Sequence, residues 1–150
     1  MNLKLTLLTC ILCLTFSSKA QDSDYQIKRT MSDYYSVLKS EGYAPSYDDV
    51  HDIKFKVEGK LYWIERQDYA NQLMMTRYIT NEQGCTLDIY SAVNYGSKSA
   101  RYANAFISED CKQVMIRSYM YNSGKDVEDI VTRAILGIKL CLSKCKEKLD

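Results

Sequence analysis

Apolar residues recur along this chain at two spacings, and the switches between them divide it into elements. Ile27, Met31, Tyr34 and Leu38 lie three or four apart, the period of a helix with one buried face. Ser23 and Gln26 form a Ser-x-x-Gln capping box ahead of that run, and Gly42 follows its last turn as a stop signal. The spacing predicts a helix from about Asp24 to Glu41, then a loop over Tyr43 to Asp49 whose backbone Pro45 restrains. At Ile53 the period drops to two. Ile53, Phe55 and Val57 alternate with Lys54 and Lys56, as in a strand with one wet face, and Glu58-Gly59 reads as a two-residue hairpin turn. That loop length fixes a register, with Val57 opposite Lys60, Phe55 opposite Tyr62 and Ile53 opposite Ile64. One face then carries Ile53, Phe55, Val57, Tyr62 and Ile64; the other carries Lys54, Lys56, Leu61, Trp63 and Glu65. A third strand, Gln72 to Thr80, is apolar on both faces, as an interior strand would be.

Beyond Gly84 the helical period returns. Leu87, Tyr90 and Val93 predict a short helix from about Thr86 to Tyr95 that stops at Gly96. Strands follow over roughly Arg101 to Ile107 and Gln113 to Tyr121, joined by the polar turn 108–112. Ser123 is a cap for a last helix from about Lys125 to Lys148. Its apolar stripe is Val127, Val131, Ala134, Ile138, Cys141 and Cys145, and its lysine-rich last turn suits the helix dipole. The order α-β-β-β-α-β-β-α, with strands in runs and hairpin-length connections, predicts a single α+β domain. Its antiparallel sheet carries helices packed on a face.

The first twenty residues have a different character. Lys4 precedes an apolar run from Leu5 to Phe16, and Ser18-Lys19-Ala20 offers small residues for a peptidase cut before Gln21. The run is shorter than the roughly 20 apolar residues that span a bilayer. Residues 1–20 are therefore expected to be a secretory signal peptide, leaving residues 21–150 as one periplasmic or secreted domain. Cys10 and Cys13 lie inside the apolar run with no small-residue site before them, which argues against lipidation. Cleavage removes two lysines and shifts the formal charge from +1 to −1. That balance argues against a nucleic-acid partner, which would need a clustered basic surface. No later stretch approaches spanning length, so no stable membrane insertion is expected after cleavage.

Of six cysteines, Cys85, Cys111, Cys141 and Cys145 would remain, an even set compatible with disulfides in an oxidising compartment. Cys85 starts the second helix and Cys111 sits in the turn after the following strand. Helix and strand run antiparallel, so their far ends share one edge of the domain, and a Cys85–Cys111 disulfide is expected. Cys141 and Cys145 are four apart on an apolar helical stripe. Cβ atoms so spaced lie about 5–6 Å apart, too far for a disulfide, and burial as small hydrophobes fits them better than metal ligation.

The element order, the hairpin from Asp52 to Ile64 (Asp-Ile-Lys-Phe-Lys-Val-Glu-Gly-Lys-Leu-Tyr-Trp-Ile) and the Ala92-Val93-Asn94-Tyr95 end of the second helix resemble the YbjN-like proteins. These share the fold of type III secretion chaperones. The resemblance runs from about Tyr25 to Lys148. It implies a small binding domain, often dimeric, that holds a protein segment along its surface, and it implies no catalytic residue. The chain departs from the cytoplasmic chaperones in its signal-like prefix, its cysteines and its lack of marked acidity.

No constellation of residues asks for catalysis. His51, the only histidine, lies in a loop; one histidine without a Cys-x-x-Cys pair is a poor zinc set, and Asp48-Asp49 and Glu109-Asp110 fall in turns. No metal or cofactor is expected. Leu61 and Trp63, flanked by Lys54 and Lys56, form the candidate binding surface, since an aromatic with an apolar neighbour and basic stems suits a protein partner. The competing reading is that the last helix or neighbouring side chains cover that face. The function expected is a non-enzymatic protein-interaction module with an unidentified protein or peptide, or a second copy of the chain, as partner. The alternative is a carrier of a small apolar ligand between sheet and helices.

Overall fold

The hairpin turn sets the geometry of the sheet. Glu58 and Gly59 both adopt positive φ (50° and 74°), the pairing a two-residue turn needs to match the strands' twist, and the glycine does so without a Cβ penalty. The computed structural model describes residues 31–66, 72–121 and 127–150. The prefix, the Ser23–Gln26 box with the first turns of its helix, and the Ser123 cap lie outside them. In chain order the elements are a helix over 31–40 (α1), strands Ser46–Tyr47 (β1), Ile53–Val57 (β2), Lys60–Arg66 (β3) and Gln72–Thr80 (β4), helix Leu87–Ser99 (α2), strands Asn104–Ile107 (β5) and Gln113–Tyr121 (β6), and helix Val127–Leu149 (α3). The six strands form one antiparallel sheet in the order β1-β2-β3-β4-β6-β5. The fold is α+β, with β4 inside the sheet as its two apolar faces require.

The hairpin register is the one its loop length dictates, with Ile53 opposite Ile64, Phe55 opposite Tyr62 and Val57 opposite Lys60. Because side chains alternate, one register settles which face each residue takes. Ile53, Phe55, Val57, Tyr62, Ile64, Met75 and Ile116 share a single core with Tyr34 and Leu38 of α1, Ile89 of α2 and Ile138 of α3. The described helices thus pack on one side of the sheet. Tyr35 stacks on Tyr47 (centroids 4.8 Å apart), and Tyr43 meets Phe55 edge-on at 5.6 Å.

Three boundaries differ from the sequence reading. Residues 46 and 47, expected in a loop, pair with β2 as a two-residue edge strand. The fourth predicted strand is shorter, Asn104–Ile107 in place of 101–107, because the chain turns at Arg101 and Tyr102 on leaving α2. Helix α2 does not stop at Gly96 but runs on to Ser99. That glycine is a contact residue: a Cβ there would press on the Cys145 sulfur and lie 2.8 Å from the Cys141 carbonyl oxygen. It lets α2 and α3 touch backbone to backbone. Gly96→Ala is therefore expected to cost about 1–3 kcal/mol in denaturant unfolding, although alanine would normally favour a helix by about 1 kcal/mol. Unchanged or raised stability would show that the two helices can part freely.

Candidate functional site

With α1, α2 and α3 on one side, the opposite face of the sheet is left without a covering element among the described residues. One row of cross-strand partners crosses all six strands on it: Ser46, Lys54, Trp63, Thr76, Arg117 and Asn104. A neighbouring row joins Tyr78, Met115 and Phe106, and another joins Glu65, Met74 and Tyr119. All four predicted binding residues, Lys54, Lys56, Leu61 and Trp63, lie on this face. Leu61 and Lys56 are exposed, while Trp63 and Lys54 are half-buried. Trp63 is propped by Tyr78, whose ring stands at 86° to it with centroids 5.1 Å apart, one of the preferred aromatic geometries.

A polar network anchors the middle of the face. The Glu65 carboxylate accepts from the Thr76 hydroxyl on one oxygen and from the Tyr78 hydroxyl on the other. Thr76 is fully buried, so this bond meets a need that an apolar setting would leave unmet. Burial first, and then the Glu65 hydrogen bond and charge, push the Tyr78 phenol up to about 12, which keeps it a donor. Next to it the Arg117 guanidinium lies over the Phe106 ring at 5.7 Å. Its Nε is buried with no hydrogen-bond partner among the described residues. Phe106 and Tyr119 remain exposed at 38% and 39%, which makes this face aromatic well beyond the hairpin.

The sequence reading missed Tyr78, Arg117, Phe106 and Tyr119 as members of this surface. Alternation along Gln113 to Tyr121 does set Met115, Arg117 and Tyr119 apart from Val114, Ile116, Ser118 and Met120. What it lacks is the long-range pairing of β4 with β6, which no local turn dictates.

Both sheet edges are blunted. β1 is two residues long. On β5, the Ser97 hydroxyl of α2 accepts from the Ala105 N–H (2.8 Å) and donates to the Ala105 carbonyl (3.3 Å), occupying edge groups that another strand could otherwise pair with.

The remaining candidates scatter. His51 is exposed in the turn before β2. Asp48 accepts from the Val50 and Asp52 N–H groups and Asp110 from Ser108 and Lys112, the work of turn residues. The structure joins Cys85 and Cys111 in a disulfide, Cα atoms 5.2 Å apart, so neither is a thiol that His51 could activate. Cys141 and Cys145 are free and buried; the hydrogen bond to Cys145, with burial, raises the Cys141 thiol and holds it protonated. Among the described residues no group of three or more His, Cys, Asp or Glu could hold a metal ion, and no helix is long and apolar enough to cross a membrane. Near the disulfide an open cleft of about 300 Å³ is lined by Ile79, Ile89, Val93, Val114, Leu142 and Cys145.

No family model and no curated protein matches the chain. Solved structures do. The crystal structure of YbjN from E. coli, provisionally a transcription regulator, aligns with a TM-score of 0.62 at 10% identity, covering 78% of this chain and 89% of that one. The HopA1–SchA chaperone–effector complex aligns at 0.57 and 10% identity, over 82% of this chain and 92% of the matched one. An uncharacterized protein from Methanothermobacter thermautotrophicus aligns at 0.51 and 6% identity, over 81% and 99%. The chain has the YbjN-like, type III secretion chaperone-like fold.

Proposed function

We propose that this chain is a non-enzymatic protein-interaction module, working outside the cytoplasm, that holds a protein or peptide segment against its open sheet face. The observation that carries this reading is that face itself: half-exposed aromatics on a rigid sheet, with no described element over them. Aromatic anchors beside apolar and cationic neighbours are the composition from which binding hot spots are drawn. The likeness to a chaperone in complex with its effector favours a protein partner over a small molecule. Export is supported by the signal-like prefix and by the disulfide, since such bonds persist in oxidising compartments. Native protein should then begin at Gln21.

Trp63→Ala tests the surface. It is expected to weaken partner capture while costing less stability than the roughly 3–5 kcal/mol of a fully buried aromatic, because Trp63 is only half-buried. A core-sized loss of stability with capture unchanged would contradict the reading.

The cleft beside the disulfide favours a second reading, a carrier of a small apolar ligand, since its volume is at the lower end of the range for ligand pockets. A co-purified small molecule in native mass spectrometry would support the carrier and is not expected of the module.

A further inference from the structure

We infer that the segment held on the open sheet face is an acidic polypeptide with apolar side chains, laid across the strands and not added to their edges. The inference rests on the interaction-surface reading above and adds the partner's chemistry. Its basis is an imbalance of charge. Lys54, Lys56 and Arg117 lie on this face, and neither lysine has an ion-pair partner among the described residues. The one carboxylate among the face's strand residues, Glu65, has both oxygens engaged by hydroxyl donors. Asp52, at the border, has one carboxylate oxygen engaged by the Arg66 N–H. The face therefore offers net positive charge around Leu61 and Trp63, which carboxylates on a partner would complement.

Lysines and aromatics on a sheet also suit single-stranded nucleic acid, which stacks its bases on open ring faces. Here three of the four rings are already engaged by neighbours, and Tyr119 alone is left without a ring contact among the described residues. The Arg117 guanidinium lies over Phe106, and Trp63 and Tyr78 meet edge to face. Polypeptide side chains need no flat platform. Strand addition is disfavoured by the two-residue β1 and by Ser97 at the β5 edge.

The test uses the full chain and synthetic probes, read by Trp63 fluorescence and by anisotropy of the labelled probe. A peptide of about eight residues repeating Glu-Glu-Leu-Leu, which carries both residue types on each side when extended, reaches roughly 26 Å, enough to cross six strands spaced about 4.8 Å apart. It is expected to bind at low salt and to lose at least tenfold in affinity at about 1 M salt, where charges are screened within roughly 3 Å. The Lys54→Glu/Lys56→Glu variant is expected to show a similar loss at low salt, with its circular dichroism unchanged. A lysine–leucine peptide and a single-stranded oligothymidylate are expected not to bind.

Equal binding of both peptides, abolished by Trp63→Ala, would refute the acidic preference and leave the binding face standing. Tighter binding of the oligonucleotide would overturn the polypeptide assignment. No response of Trp63 to any probe, and no effect of Trp63→Ala on capture of the native partner, would remove the face and this inference together.

Discussion

Replacing Phe55 by alanine is expected to destabilise the domain by about 3–5 kcal/mol, a large share of the stability of a domain this size. Phe55 sits on β2 at 1% exposure, pinned between Tyr43 edge-on and its cross-strand partner Tyr62 at 5.8 Å. Truncation removes the burial of a large ring and leaves a cavity that neighbours on two strands and a loop cannot close. Lys56, the next residue, is exposed on the opposite face, and Lys56→Ala is expected to change stability by no more than about 0.5 kcal/mol. Chemical denaturation of the two variants measures the contrast. Similar losses for both would mean that the two faces of the sheet are not distinguished as described.

The second large effect lies beyond the adjoining ends of β4 and β6. Cys85 and Cys111, 26 residues apart, close a loop containing all of α2 and β5. By loop-closure entropy, removing the cross-link lowers stability by about 3.5 kcal/mol. The bond does not act alone. The Asn81 side-chain amide donates to the Gly84 and Cys111 carbonyls, both at 2.8 Å, and the Asn81 N–H to the Lys112 carbonyl at 2.7 Å. These contacts retain part of the geometry when the sulfurs are parted, so Cys85→Ser/Cys111→Ser should still fold, with a lower midpoint. Reductant is expected to bring the wild-type protein to the same midpoint and to leave the variant unaffected. Non-reducing peptide mapping should recover a Cys85–Cys111 peptide; free alkylation of both cysteines, or linkage to Cys141 or Cys145, would contradict this pairing.

The parts of the fold legible in the sequence are those set by local chemistry. Alternation from Ile53 to Val57 and a Glu-Gly turn determine a hairpin register, and register determines faces, so Lys54, Lys56, Leu61 and Trp63 could be placed together before any tertiary contact was known. Gln72 to Thr80 announces an interior strand because both of its faces are apolar. Local signals failed where a residue serves a distant contact. Gly96 resembles a helix stop, yet its missing side chain makes room for Cys141 and Cys145 of α3, more than forty residues away. Ser46-Tyr47 has too few residues to carry a strand period and pairs because β2 offers it an edge. The far half of the open face was hidden for the same reason. Arg117 and Tyr119 join Trp63 and Tyr78 only through the β4–β6 pairing, which bridges all of α2 and β5.

Site-specific photo-crosslinking in the native compartment distinguishes the open sheet face from the helices as the working surface. A photoreactive phenylalanine analogue is placed in turn at Trp63, at Phe106 and, as a control on the opposite side, at the exposed Leu140 of α3. One common cross-linked partner is expected from positions 63 and 106 and none from 140. Cross-links from position 140 alone, with 63 and 106 silent, would move the binding surface to the helices and contradict the sheet-face reading.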